Sequence, residues 1–262
     1  MSIIENHCKK QLDAGKLALG FGVLQSRRVD IAKIAKTCGY DWLFVDLEHS
    51  AMDLDTASQI CVAALDVGIT PLVRVSGHEH FHAARILDNG AMGVVVPHVD
   101  TVEEARAAVD HVKFPPIGHR SMTGGLSQVG FQNHGVAEQP KIVNAQTMVV
   151  IMLETPTAIE NAEAIAAIDG VDVMLIGTND LCAEMGIPGE FGHERVEAAY
   201  DAALAAAKKH GKHVGLGGIY DEALVAKFVE KGVRFILGGA DLGFVMTAAS
   251  ARSSFLRSLE AN

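Results

Sequence analysis

Two carboxylates stand where apolar runs stop. Glu154 closes the run Val149-Val150-Ile151-Met152-Leu153, and Asp180 follows Leu175-Ile176-Gly177 by three residues. No cysteine lies beside Glu154. Two carboxylates at successive strand ends, with water and substrate completing the shell, suit a hard divalent cation such as Mg²⁺ or Mn²⁺. Each also has a structural explanation. Asn179-Asp180-Leu181 reads as a helix start with Asp180 in a capping role, and Glu154 reads as a capping-region carboxylate ahead of Pro156. Taken as a pair, they favour the metal.

Other ionisable residues recur at similar places. Phe44-Val45-Asp46-Leu47-Glu48-His49 ends in a histidine, the side chain best matched to proton transfer near neutral pH. Asp46 and Glu48 are two apart and point to the same side. Asp88, just before Asn89-Gly90, is a candidate to orient His49. Arg74 ends Leu72-Val73 among apolar neighbours, and a buried arginine needs an anionic partner. A ligand carboxylate or a developing enolate would serve, and so would a salt bridge to Asp46 or Glu48. Gly177-Thr178-Asn179 precedes a helix start, where backbone N–H groups could hold a substrate carboxylate or simply form a strand-to-helix turn.

Two further features narrow the chemistry. His78, His80 and His82 alternate along the chain, which does not put three imidazoles on one helix face, so a loop and helix start is the better reading. None of the lysines directly follows a strand-like run; Lys16 and Lys212 precede strands. A Schiff base needs a desolvated lysine at the active end. A metal, not an imine, is therefore the expected electron sink.

The elements that must position these residues form a repeating series. Strand-like runs fall at 17–23, 42–47, 71–75, 93–97, 147–153, 172–176, 213–217 and 234–238. Continuous apolar runs of this length read as parallel strands buried on both faces. Helix-period segments at 55–66, 101–112, 194–210 and 221–231 lie between them, several ending near Gly68, Gly90, Gly211 or Gly232. The alternation predicts a single (β/α)8 TIM barrel over residues 1–262, with the chemistry at the C-terminal ends of the strands. An open doubly wound sheet fits less well, because Gly20-Phe21-Gly22 falls inside the first strand without a third glycine at the required spacing. The long connection 113–146 reads as a lid over the barrel mouth that ends in a short helix near 138–145, and the last helix spans 241–258.

Composition sets the outer limits. A net charge of -10 argues against nucleic acid and anionic membranes as partners. Cys8, Cys38, Cys61 and Cys182 form no CxxC pair and read as reduced thiols. The N-terminus has no signal-peptide core, and no apolar stretch reaches the length of a membrane span, so the expected location is cytoplasmic.

The chain resembles the class II, metal-dependent pyruvate aldolases of the HpcH/HpaI family. The anchors are Asp46-Leu47-Glu48-His49, Val73-Arg74, Leu87-Asp88-Asn89-Gly90, Phe114-Pro115-Pro116-Ile117-Gly118-His119-Arg120, Leu153-Glu154-Thr155 and Gly177-Thr178-Asn179-Asp180-Leu181. Each is short, but their order and spacing together are specific. The resemblance implies a barrel whose C-terminal helix swaps between subunits of a hexamer, a trimer of dimers. It implies Mg²⁺, Mn²⁺ or Co²⁺ on Glu154 and Asp180, with pyruvate chelating through its keto group and the rest of its carboxylate against the backbone after Gly177. It implies that Arg74 stabilises an enolate and that His49, oriented by Asp88, moves protons through water. Two positions depart from relatives: Thr178-Asn179 stand where many have proline and a small residue, and Met152 stands where some have glutamine.

The expected activity is reversible cleavage of a 4-hydroxy-2-oxo acid to pyruvate and an aldehyde. A carbon–carbon synthase or acyl-CoA lyase on the same scaffold, using oxaloacetate or a CoA ester, is the alternative. A CoA enzyme should carry a basic patch at the rim, where only Arg120 and scattered lysines are candidates. A non-catalytic barrel would not need Glu154, Asp180, Arg74 and His49 together at strand ends.

Overall fold

Parallel strands that are apolar on both faces must be covered on both sides, and closing the sheet on itself does this without leaving an edge. The computed structural model, which describes residues 4–261, has that form. Its strands are β1 (Ala18–Val23), β2 (Trp42–Asp46), β3 (Thr70–Arg74), β4 (Gly93–Val96), β5 (Met148–Leu153), β6 (Val173–Gly177), β7 (His213–Gly217) and β8 (Phe235–Ala240). They pair in chain order, all parallel, and β8 closes on β1.

The helices are α1 (His7–Asp13), α2 (Asp30–Thr37), α3 (Leu54–Val67), α4 (His80–Asp88), α5 (Val102–Val112) and α6 (Gln139–Gln146). They continue with α7 (Pro156–Glu160), α8 (Ala162–Ala166), α9 (Thr178–Glu184), α10 (Glu194–His210), α11 (Glu222–Lys231) and α12 (Asp241–Ser258). Their ends follow local chemistry. Thr101 and Glu104 form a reciprocal capping box at the start of α5. Gly68 and Gly211 close α3 and α10 in the left-handed conformation.

Alternation along the strands divides the apolar residues between two cores. Outward residues such as Val45, Val73, Ile151 and Ile176 pack under the helices. Inward residues such as Trp42, Phe44, Met152, Leu175 and Phe235 fill the barrel. Trp42 stacks on Phe235 with ring centroids 4.1 Å apart. It fits because position 20 is glycine: a Cβ there would come within 2.2 Å of the indole. Below this layer α1 plugs the barrel, with Cys8 and Leu12 joining the interior core and the Cys8 N–H donating to Thr70 Oγ1 (3.1 Å).

The segment 113–146 is not a lid over the mouth. It joins the end of a helix to the start of a strand, so it lies at the end of the barrel where strands begin. Its contacts agree. Gln128 Nε2 donates to the carbonyls of Leu87 and Ala91, at the end of α4 and before β4. Lys113 Nζ donates to the carbonyls of Asn144 and Thr147, just before β5. Phe114, Leu126, Val129 and Val143 give the segment its own small core. The short helix is present as α6.

At the opposite end Asp241 opens α12 and is 5% exposed. Its carboxylate accepts the N–H groups of Leu24, Gln25, Ser26 and Leu242. Burial alone would raise its pKa, but these four donors hold it below the usual carboxylate range. The β1–α2 loop is thereby tied to the last helix at the rim of the mouth.

Candidate active site

Continuing the inward alternation of β2 and β3 by one step puts Asp46 and Arg74 side by side, as register partners at the tops of their strands. Arg74 Nε and Nη2 donate to the two oxygens of Asp46 at 2.9 and 2.6 Å. Nη1 lies 2.9 Å from Glu48 Oε2. The Phe44 ring sits beneath the guanidinium, 5.0 Å away. Asp46 is fully buried and Arg74 is 7% exposed. Burial pushes the Asp46 pKa up; Arg74 and the N–H groups of Glu48 and His49 push it further down, leaving it below the ordinary value. The salt bridges that were one reading of Arg74 therefore form. The guanidinium also lines the mouth cavity, so engagement with Asp46 and Glu48 does not remove it from the site.

Glu154 comes one residue after β5 and is 2% exposed. Its Oε2 accepts the backbone N–H of His98 (2.8 Å). Its Oε1 lies over Gly177, where a Cβ would approach to 2.6 Å. Only glycine at the end of β6 leaves room for that carboxylate. Burial raises the Glu154 pKa; His98 lowers it, and the charges of Asp180 and Glu48 raise it again, for a net upward shift. Asp180 lies in the first turn of α9, exposed, and lines the same cavity.

The cavity measures about 230 Å³ and brings together Asp46, His49, Arg74, Glu154, Gly177, Thr178, Asn179 and Asp180. Of the eight candidate residues His49, Arg74, Asp88, Glu154, Gly177, Thr178, Asn179 and Asp180, all but Asp88 line it. His49 is mostly exposed, with Nε2 3.9 Å from Glu48 Oε2. Thr178 is fully buried, and its hydroxyl pairs with Tyr200 OH (2.8 Å), turning it toward helix packing. Asn179 fits against Gly218, where a Cβ would meet its Nδ2 at 2.7 Å. Among the described residues no side chain caps the first turn of α9, which leaves its N–H groups facing the mouth region.

Asp88 is the exception. It ends α4, at the far end of the barrel, and its Oδ1 lies 2.6 Å from Arg120 Nη2. Among the described residues it makes no contact with His49, so within this chain it does not orient that ring. Arg120 is likewise at the far end, stacked 4.5 Å over Phe114, and is not a rim residue. The reason is topological: helices run back down the barrel, so a helix C-terminus cannot reach the mouth. His78, His80 and His82 also separate, with His78 Nε2 on the Pro97 carbonyl, His82 near Glu79 and His80 against His111.

Sequence reasoning missed His98. It follows β4 and Pro97, has φ +52°, and places Nε2 3.0 Å from Glu48 Oε1 and Nδ1 3.5 Å from Glu154 Oε2. The signal was present: Gly93-Val94-Val95-Val96-Pro97 is another apolar run ending at an ionisable residue.

A closed parallel barrel with buried carboxylates and an arginine around a cavity at its C-terminal mouth has the architecture of a (β/α)8-barrel enzyme. The chain belongs to the HpcH/HpaI aldolase/citrate lyase family, whose model matches residues 23–248. It is 39% identical over 266 residues to the 4-hydroxy-4-methyl-2-oxoglutarate aldolase tasA of Hapsidospora irregularis, covering 99% of this chain and 98% of that one. It is 37% identical to the 4-hydroxy-2-oxovalerate aldolase of Novosphingobium aromaticivorans, over 90% of this chain and 88% of the relative. The crystal structure of an HpcH/HpaI aldolase from Desulfitobacterium hafniense DCB-2 superposes with a TM-score of 0.89 at 30% identity, covering 95% of this chain and 96% of that one.

Proposed function

We propose that the protein is a carbon–carbon lyase that reversibly cleaves a 4-hydroxy-2-oxo acid to pyruvate and an aldehyde or ketone. One observation carries this reading: a buried carboxylate, Glu154, and a buried guanidinium, Arg74, face one cavity beside the uncapped start of α9. The names of the relatives, aldolases acting on 4-hydroxy-2-oxo acids, support it.

The residues fit a divalent cation. Glu154 is buried among the like charges of Asp180 and Glu48, an arrangement that a cation relieves. Among the described residues no three His, Cys, Asp or Glu side chains group as a ready-made cage. Two carboxylates with water and substrate completing the shell is the pattern suited to Mg²⁺, Mn²⁺ or Co²⁺. When bound by Glu154 and Asp180, the cation would supply Lewis-acid polarisation of the substrate's keto oxygen.

The remaining chemistry falls to the side chains. The backbone N–H groups after Gly177 hold the substrate carboxylate, with Asn179 and the Thr178 backbone forming the wall beside it. His49 removes the C4 hydroxyl proton through water. The C3–C4 bond breaks, its electron pair passes into the pyruvate enolate, and the carbonyl product leaves. Arg74 faces the negative charge that develops on the enolate. The proton returns through water to C3, giving pyruvate.

The assembly is a homo-oligomer built through α12. Among the described residues of α12, Asp241 is the buried one, while Leu242, Val245, Met246, Phe255 and Leu256 are exposed. A helix carrying so much uncovered apolar surface suits exchange with a second copy, and a hexamer built as a trimer of dimers follows the family pattern. No described helix is long and apolar enough to cross a membrane. Free Cys8, Cys38, Cys61 and Cys182 suit a reducing, cytoplasmic setting.

The reading is tested by a coupled pyruvate-release assay over a panel of 4-hydroxy-2-oxo acids. Pyruvate should be released with Mg²⁺, Mn²⁺ or Co²⁺ and lost on chelation, returning with added metal. Release from no member of the panel would overturn the substrate class.

A further inference from the structure

We propose that His98 is a positioning residue that fixes the orientation of Glu154, through its backbone on one side and its ring on the other. The inference rests on the metal site proposed for Glu154 and Asp180, and it adds a residue to that site's support.

The backbone comes first. His98 has φ +52°, the left-handed region that a non-glycine residue enters only under strain. In this conformation its N–H points at Glu154 Oε2, 2.8 Å away. The turn is pinned from the other side, because His78 Nε2 donates to the Pro97 carbonyl at 2.7 Å. A glycine would make the same turn without strain, so the turn alone does not call for an imidazole.

The ring supplies the second hold. It lies between two carboxylates, Nε2 3.0 Å from Glu48 Oε1 and Nδ1 3.5 Å from Glu154 Oε2. The other oxygen of Glu48 is 2.9 Å from Arg74 Nη1, off the hydrogen-bond direction, and has no hydrogen-bond partner among the described residues. Arg74 in turn is clamped on Asp46. Asp46, Arg74, Glu48, His98 and Glu154 therefore form one continuous series from β2 to the end of β5. Its last link keeps Oε2 of Glu154 occupied and leaves Oε1 on the cavity side over Gly177. Without the ring, Glu48 and Glu154 face each other as like charges, and the Glu154 carboxylate turns away. Groups that orient a metal ligand in this way are worth about 10–100-fold in metal affinity.

The test is Mn²⁺ titration of the metal-free full chain by calorimetry, for wild type, His98→Ala, His98→Gly and His98→Asn, with melting curves beside it. His98→Ala and His98→Gly should bind Mn²⁺ about 10–100-fold more weakly. His98→Asn, which tolerates the left-handed backbone and offers an amide toward Glu48, should recover most of the loss. Pyruvate release in the weak binders should return at high Mn²⁺ with the KM for the oxo acid unchanged. Binding within twofold of wild type in both His98→Ala and His98→Gly overturns the proposal. Should His98→Ala not fold, His98→Gly and His98→Asn decide the matter. Failure of the underlying site looks different: wild type itself then binds no Mn²⁺ while still releasing pyruvate.

Discussion

Replacing Arg74 with methionine should lower turnover by about 10²–10³-fold, the loss expected when one donor facing a developing oxyanion is removed. The same change should cost about 3–5 kcal/mol of stability, because it strands a fully buried Asp46 without its counter-charge. The two losses can be separated. Asp46 Oδ1 also accepts the N–H groups of Glu48 and His49, and an asparagine oxygen can keep those bonds. Asp46→Asn combined with Arg74→Met should therefore be more stable than Arg74→Met alone while remaining as inactive. Arg74→Lys should not rescue, since an ammonium cannot reach both Asp46 oxygens and Glu48 as the guanidinium does. Near-wild-type turnover in folded Arg74→Met would remove Arg74 from the reaction. The pair also sets an acid limit. Asp46 has a depressed pKa when folded, so its contribution is fully present above about pH 4 and is lost as pH falls through the depressed value.

Glu154→Gln should have the opposite relation between activity and stability. Turnover should fall on the order of 10³-fold, equivalent to about 4 kcal/mol of Lewis-acid assistance. Stability of the metal-free protein should hold or rise. Glu154 has a raised pKa when folded, so its charged form is disfavoured by burial and by Asp180 and Glu48, and a neutral amide of the same shape relieves that. The glutamine oxygen can still accept the His98 N–H. Metal then distinguishes the two proteins: Mn²⁺ at about 100 times its Kd adds roughly 2.7 kcal/mol to wild type and nothing to the variant. Melting curves with and without Mn²⁺, set beside kcat, check both halves. A metal-induced rise in Tm that survives in Glu154→Gln would move the cation elsewhere.

The barrel could be read from the chain because its signals are local. Apolar runs, capping residues and glycine stops each depend on a few neighbouring residues, so β7, α10 and α12 have the expected bounds and the other predicted strands shift by a residue or two. The short helices α1, α7 and α8 were not anticipated, since one or two turns leave little periodicity. Glu154, Asp180, Arg74 and His49 could be placed together at the mouth because a strand end in a parallel barrel dictates where a side chain faces. What failed was direction and distance. The 113–146 segment looked like a lid by its length, but its place between α5 and β5 puts it under the barrel. Asp88 was near His49 only by motif; α4 carries it to the other end, to Arg120. The apolar run before His98 marked its place at a strand end, but the effect of its left-handed turn, an N–H aimed at a carboxylate more than fifty residues later, exists only in three dimensions.

The most direct measurement of the central claim is exchange of the pyruvate methyl protons in D₂O, followed by proton NMR, with and without a divalent metal and after borohydride treatment. Enolate chemistry supported by Glu154, Asp180 and Arg74 predicts exchange that requires metal, is lost in Glu154→Gln, and leaves no lysine adduct. Full exchange in the presence of chelator, or a pyruvate–lysine adduct trapped by borohydride, would contradict it.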